Sequence, residues 1–424
     1  MEMGAVKRFP AAMKMVVLNA GSGSQRCSLF ELPAGPLPEE PMEPLWEAKL
    51  DATAPDQPPG KIVPMIRDAN GEVKAEPMDA ALSTAQRTEA LLQLLWRGPH
   101  GTVNGPEEID AVAHRVVHGG ADYDHAVKID AQVEANVERL AGFAPLHNPN
   151  NLTGIRAARK LFGDGKPQLA VFDTAFHRTL PDAAATYAGP HEWLDQGIRR
   201  YGFHGTSFRY ASQRAAQLLG RRNDPELRLI LCHLGGGCSL CATIGGRSID
   251  TTMGFTPLDG LAMSTRSGAV DPGILIYLLR QGRSADDLEK ILNKESGLKG
   301  LSGFSGDTRV LFPAARNDRR ARLALDVFIH RLRAGIGQML ATLGDPPHAL
   351  VFTDAISEDE PGIRAAACEP FAFLGLALDP EKNAASPLDS DLAITVSTVR
   401  VLLIQSREAW QIARECRGLM DHGR

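Results

Sequence analysis

Aromatic residues make up only 6% of this 424-residue chain, and cysteine occurs only six times, too sparsely for a disulfide framework. Four of the cysteines, Cys27, Cys232, Cys238 and Cys241, sit in apolar strand-like runs, which points to a reducing cytoplasm. Cys238 and Cys241 form a lone CxxC. Residues three apart on a strand face opposite ways, no second CxxC follows and no helix N-terminus is there to activate a thiolate, so both read as buried structural residues. No apolar run approaches the length of a membrane span. The opening MEMGAVKRFPAAMKMVVL has no unbroken apolar core and reads as a short disordered leader before a strand beginning near Met15. A large excess of one sign of charge is also lacking: the net charge is −5, which argues against a broad basic surface for nucleic acid or an anionic membrane. The chain lacks HEXXH, an EF-hand loop, GxxxxGK[ST], a GxGxxG after a strand and a GxSxG elbow, so zincin, Walker-type, Rossmann and serine-hydrolase readings all fail.

What the chain does have is a repeated device. VVLNAGSGSQRCSLFEL from Val16 and LILCHLGGGCSLCATIGG from Leu229 each run an apolar β-branched stretch into a Gly/Ser-rich turn and out into a second stretch. Such a hairpin presents bare backbone N–H groups to phosphate, and one per half of the chain suggests a duplicated fold. At this length two domains are expected. Pro33, Pro36, Pro38, Pro41 and Pro44 open a stretch, through about Gly60, that reads as an extended loop outside the core. Helices are expected over Thr84 to Trp96, Val133 to Leu140, from near Asn151, after the turn in RRYGFHGTS, and through LALDVFIHRLRAGIGQMLATLG. Buried strands are expected at AVAHRVVHGG (111–120), LAVFDTAFH and HALVFTDAI, with one more strand and a helix at the C-terminus, whereas DTTMGFTPLDGLAMSTRSG is a long loop. Alternating strands and helices behind each hairpin indicate an α/β fold with mixed sheets.

Arginine, histidine and carboxylate gather at the ends of these strands: Arg115, His118, His147, Asn148, Asp173, His177, His204, His233 and Arg266. With dedicated metal and dinucleotide motifs absent, this composition suits a phosphoryl-transfer site of arginines, a histidine, carboxylates for magnesium and glycine-rich phosphate loops.

NAGSGS, HRVVHGG, APLHNPNN, FDTAFH, RRYGFHGTS, HLGGGCS, TMGFTPLDGL, TRSG and SGDTR, in this order from Asn19 to Arg309, resemble the motif set of the acetate kinase family from about Met15 to the C-terminus. The resemblance implies a two-lobed actin/hexokinase-like (ribonuclease H-like) fold with an interlobe cleft, the N-terminal lobe being 1–175 with 407–424 and the C-terminal lobe 176–406. It implies Mg2+-dependent (or Mn2+-dependent) reversible in-line transfer of the ATP γ-phosphoryl to acetate, giving acetyl phosphate and ADP in a cytoplasmic homodimer. Arg115 and Arg266 match the arginines that hold the carboxylate and the moving phosphoryl, His204 the histidine that stabilises it, and His147 a supporting residue. Guanidinium forks suit the equatorial oxygens of such a transition state. Asp173 matches a carboxylate tied to magnesium and acetate, Asn19 and Glu408 the metal side. Ser22, Ser24, Arg26, His233, Gly235, Gly236, Gly237, Asp307, Arg309 and Ala355 match phosphate and nucleotide positions. Val117, Leu146, Phe203 and Pro257 match the small apolar pocket for the acyl methyl. A pocket of that kind separates acids differing by one methylene by only about 1–3 kcal/mol, so propionate is expected as a second acceptor.

Several residues depart from the family pattern. Arg26 replaces a lysine, Phe208 a histidine, Gly236 an asparagine and Ala269 an aspartate, while FTDAISEDEP stands where the family has FTGGIGEN. Ala355 and Ser357 add Cβ atoms, and Asp354 and Asp359 add negative charge, where a phosphate tail would pass. The acceptor side is expected to be intact, and the donor side leaves open pyrophosphate in place of ATP or a catalytically weakened relative kept as a binding protein.

Overall fold

The computed structural model describes residues 12–20, 24–51 and 57–422, and the chain divides into two compact units, Met1–Ala175 with Arg407–Arg424, and Phe176–Ser406. The proposed leader and the Gly21–Gly23 turn lie outside the described residues, and the first strand begins at Met13.

In the first unit, Met13–Ala20 pairs antiparallel with Ser24–Leu32, which pairs antiparallel with Trp46–Asp51. On its other side Met13–Ala20 runs parallel to Ala111–Val116, and that strand runs parallel to Gln168–Phe172. Short strands at Met65–Asp68, Gly71–Lys74 and Val127–Lys128 extend this sheet. The strands with parallel partners are apolar almost throughout, QLAVF being wholly buried, because helices cover the sheet. Helices Thr84–Gln93, Asn148–Phe162 and the terminal Glu408–His422 supply that cover; the last packs on Met13–Ala20, Ala111–Val116 and Gln168–Phe172 with Trp410, Ile412 and Cys416 buried.

The second unit repeats the order. Arg228–Leu234 pairs antiparallel with Cys238–Ile244, which pairs antiparallel with Arg247–Thr251; on the other side follow Ala349–Thr353 and Arg400–Ile404, both parallel. A two-residue strand, Ser390–Asp391, closes the edge. The 25-residue helix Arg319–Leu343 starts on an Asp318 cap and packs on Arg228–Leu234, Cys238–Ile244 and Arg247–Thr251. Two five-strand cores of one topology, each led by a Gly-rich hairpin, are the signature of an internal duplication.

Three expectations change. Trp46–Asp51 is a sheet strand rather than loop: WEAKLD alternates buried and half-buried, and Trp46 is fully buried. The proline density just upstream hides a plain period-two pattern. The helix expected near Asn151 starts at Asn148, because Pro149 sits in its first turn, where a missing N–H costs nothing. The strand expected over 111–120 stops at Val116, ahead of the Gly119-Gly120 turn.

Candidate active site

Neighbouring parallel strands end at one edge of a sheet, so the residues that close them converge there without helix intervening. In the first unit those residues are Asn19, Arg115 and Asp173. Arg115 Nε donates to Asp173 Oδ1 at 3.0 Å, its Nη2 donates to Oδ2, and its Nη1 donates to Asn19 Oδ1 at 3.2 Å. Asp173 is 1% exposed and the Arg115 side chain 16%. One guanidinium is therefore aimed by a buried carboxylate fork and a side-chain amide, while a small part of it still faces solvent.

The flanks of this edge are fastened by two asparagines. Asn151 Oδ1 accepts from Val117 N at 3.1 Å and its Nδ2 donates to Ala20 O at 3.0 Å, joining the exits of two strands. Asn148 does the same at His118, accepting from its N–H at 3.2 Å and donating to its carbonyl at 3.1 Å. Asn151 has no role in the sequence reading; the signal for it is a second polar residue three positions after Asn148 on the buried stripe with Leu152 and Ile155. Val117 is buried, Leu146 and His147 half-buried, and His147 occupies the N-cap position without a side-chain cap bond. His118 accepts from Gly120 N at 3.0 Å through Nδ1, and burial pushes it, like His114, down to about 4, so both are neutral near pH 7.

Ser24 and Arg26 open the second strand of the first hairpin, Arg26 facing Asn19 in register and lying 4.0 Å from Glu47. Ser22 lies outside the described residues. Glu408 is half-buried at the first position of the terminal helix.

In the second unit, His204 stands just before the helix Gly205–Leu218 with φ 56°, a left-handed conformation uncommon outside glycine. Its Nδ1 lies 2.8 Å from Ser239 Oγ, and its ring centroid is 4.1 Å from that of His233. A Cβ at Gly237 would come to 3.0 Å from the His204 ring and 3.6 Å from Arg266 Nη1, so histidine, arginine and glycine-rich loop adjoin. Arg266 Nη1 also donates to Pro257 O at 3.2 Å. His233 is the penultimate residue of the strand Arg228–Leu234, with Nδ1 2.8 Å from Ser207 Oγ and Nε2 3.3 Å from Asp354 Oδ2.

His177 is structural. Its Nδ1 lies 2.8 Å from Ser248 Oγ and its Nε2 2.9 Å from Phe203 O, and burial lowers it to about 4, so it holds Phe203 as a neutral ring. Phe203 and Pro257 are both buried. Arg200, inside RRYGFHGTS but given no role by sequence, donates through Nη1 to the carbonyls of Thr251, Thr252 and Met253 at 3.0–3.1 Å and anchors the start of the long loop that carries Pro257 and Arg266. Asp307 and Arg309 pair with each other: Asp307 caps the helix Thr308–Ala314 and accepts from Arg309 Nε at 3.0 Å and Nη2 at 2.8 Å, which holds the carboxyl below its usual range.

A profile of the acetokinase family matches residues 14–414. The chain belongs to the acetokinase family. It is 53% identical over 406 residues to an acetate kinase of Gloeobacter violaceus, covering 95% of this chain and 98% of the relative, and 52% identical over 411 residues to one of Trichormus variabilis, covering 96% and 100%. Among solved structures, acetate kinase of Porphyromonas gingivalis aligns with TM-score 0.83 and 35% identity over 96% of this chain and 100% of that one. A propionate kinase of Francisella tularensis aligns with TM-score 0.83 and 34% identity over 95% and 98%. The architecture is thus the actin/hexokinase-like α/β fold of acetokinases.

The positions where this acetokinase departs from the family pattern are packed in different ways. Phe208 is fully buried against the rings of His177 and His233, at 5.7 and 6.2 Å between centroids. Gly236 faces open space, and Ala269 is exposed with its N–H on Gly260 O. Ala355 is exposed at the start of the five-residue helix Ala355–Asp359. Magnesium takes hard oxygens, commonly one or two carboxylates with waters and substrate phosphates. The Asn19 and Asp173 oxygens gathered on Arg115 are donors of that type. Among the described residues no group of three His, Cys, Asp or Glu is placed to hold a metal by itself.

Proposed function

We propose that this chain transfers the γ-phosphoryl of ATP to acetate, reversibly, forming acetyl phosphate and ADP. Membership of the acetokinase family across residues 14–414, with about half of all positions identical to acetate kinases, carries this reading. Pyrophosphate as donor finds no support among these relatives.

In this reading Arg115 meets the acetate carboxylate, its fork already aligned by Asp173 so that little ordering remains on binding. Arg266 and His204 meet the phosphoryl in flight, where charge spreads over oxygens that donors in fixed positions stabilise. His204 keeps Nδ1 engaged with Ser239, which orients Nε2 as the working nitrogen. Gly235, Gly236 and Gly237 offer the donor's phosphates backbone alone, His233, Asp307, Arg309 and Ala355 are assigned to the donor in the second unit, and Ser22, Ser24 and Arg26 keep the phosphate role that the family resemblance implies for them. Asn19 and Glu408 or Asp173 would hold magnesium, which would supply charge neutralisation for the phosphates; His147 supports the acceptor side. Val117, Leu146, Phe203 and Pro257 are each assigned to the acyl methyl, and the similarity to a propionate kinase supports propionate as a second acceptor.

The unpaired state of all six cysteines fits a reducing cytoplasm, and among the described residues no helix is long and apolar enough to cross a membrane. A homodimer is supported by the helix Pro272–Arg280, where Ile274, Ile276, Tyr277 and Leu279 are 48–60% exposed. The deciding assay traps acyl phosphate with hydroxylamine: acetate, MgATP and protein yield acetyl hydroxamate, and Arg266→Ala abolishes it. No product from the wild type, or an undiminished yield from the variant, rejects the reading.

A further inference from the structure

Asp354 follows the strand Ala349–Thr353 with φ 73° and ψ 167°, a backbone region that is essentially glycine-only and costs about 1–3 kcal/mol for another residue. Capping aspartates in this chain, such as Asp130 and Asp318, keep ordinary extended backbone with negative φ. Here the side chain makes no cap bond to the helix Ala355–Asp359, so capping does not account for the strain. The carboxylate turns to the glycine-rich loop instead. Its Oδ2 lies 3.3 Å from His233 Nε2, and a Cβ at Gly235 would run directly into it. Only glycine at position 235 allows this approach.

The surroundings are acidic. Asp359 and Glu360 follow in the chain, and the Asp354 charge, after burial, helps to push Glu358 above its usual range. Across the loop lies the Arg266 guanidinium, near Gly237.

We propose that Asp354 is a donor-specificity residue: its carboxylate occupies the Gly235 face of the loop and His233, the ground a donor's phosphate oxygens must take. The inference rests on the assignment of this loop to the donor. A phosphate chain reaches Gly235 only by displacing the carboxylate from His233, and a divalent cation on that chain lowers the repulsion it meets on the way. The residue therefore weakens binding of bare anions most and selects polyphosphates carrying their metal.

The test compares wild type, Asp354→Asn and Asp354→Gly as full-length protein. Asp354→Gly removes both charge and backbone strain, so its thermal midpoint does not fall; Asp354→Asn removes the charge alone. The KM for MgATP is expected to drop about fivefold or more in the glycine variant and about threefold in the asparagine variant, with the acetate KM unmoved. Calorimetric titration, which needs no turnover, should tighten by the same factors with MgADP and by more with metal-free ADP. Unchanged MgADP affinity in Asp354→Gly overturns the proposal, as does an asparagine variant identical to wild type or an acetate KM that moves in step. Failure of wild type to make acetyl hydroxamate would reject the phosphotransfer reading, while the MgADP titrations would still decide the role of Asp354.

Discussion

Replacing Asp173 by alanine removes both oxygens that receive the Arg115 fork. Breaking a buried ion pair from one side costs about 3–5 kcal/mol because the other charge stays behind. Arg115 retains 16% of its side-chain exposure and its bond to Asn19, which brings the expected loss to about 2–4 kcal/mol. Arg115→Ala falls at the upper end of that range, since the carboxylate it strips is 1% exposed. The double variant leaves neither charge behind, so it should be less destabilised than the sum of the singles by about 2 kcal/mol. Urea unfolding followed by tryptophan fluorescence reads this out where it matters: Trp46 and Trp410 are buried in the same unit as the pair, whereas Trp193 in the other unit is 39% exposed. A coupling below about 0.5 kcal/mol refutes the claim that the pair acts as one structural element.

Three further outcomes are expected. His204→Asn, which keeps a residue type tolerant of left-handed backbone, should lower kcat for acetyl phosphate formation about 100-fold with an unchanged thermal midpoint; a loss under about threefold removes His204 from the chemistry. Arg364 is fully buried, with Nε on Asn383 Oδ1 at 2.8 Å, Nη2 on Asn383 O at 2.6 Å and on Ser386 Oγ at 2.7 Å, and Nη1 on the carbonyls of Ser357 and Glu358. Arg364→Met should cost about 3–5 kcal/mol in denaturant melts by orphaning these acceptors, and Arg364→Lys should recover less than half, since a point charge cannot serve the fork. Finally, His114, His118 and His177 are held neutral down to about 4, below the usual 6.5, so between those pH values the unfolded chain binds more protons than the folded one. Stability should fall as pH drops from about 6.5 to 4, by roughly 1 kcal/mol per pH unit for each histidine, and level off below; urea midpoints equal at pH 7 and pH 5 would contradict this.

Much of the candidate site could be read from the chain because its residues cluster in short motifs at strand ends, where side-chain type and backbone punctuation coincide. FDTAFH and HRVVHGG each announce a buried strand and the polar residue that closes it. Trp46–Asp51 was hidden because its alternation is brief and follows a proline-dense stretch. Asn151 and Arg200 stood inside quoted motifs without a role, since what they do is hold backbone groups 34 and 51 residues away, or farther. Sequence also treats all histidines alike. Burial separates them: His114, His118 and His177 are neutral structural rings, while His204 sits in a left-handed turn beside Arg266.

The sequence by itself determined the α/β alternation, the paired glycine-rich hairpins, the family and the residue types of the candidate transfer site, because these are local in the chain or repeated along it. The tertiary structure alone decided which groups are already engaged with one another. Parallel strands bring Arg115, Asp173 and Asn19 to one edge although 58 and 96 residues separate the arginine from its two partners, and no local pattern encodes that pairing. It likewise turned Asp354 from an added charge in a divergent segment into a carboxylate resting on His233 and Gly235, because a backbone conformation reserved for glycine can be maintained only by the packing around it.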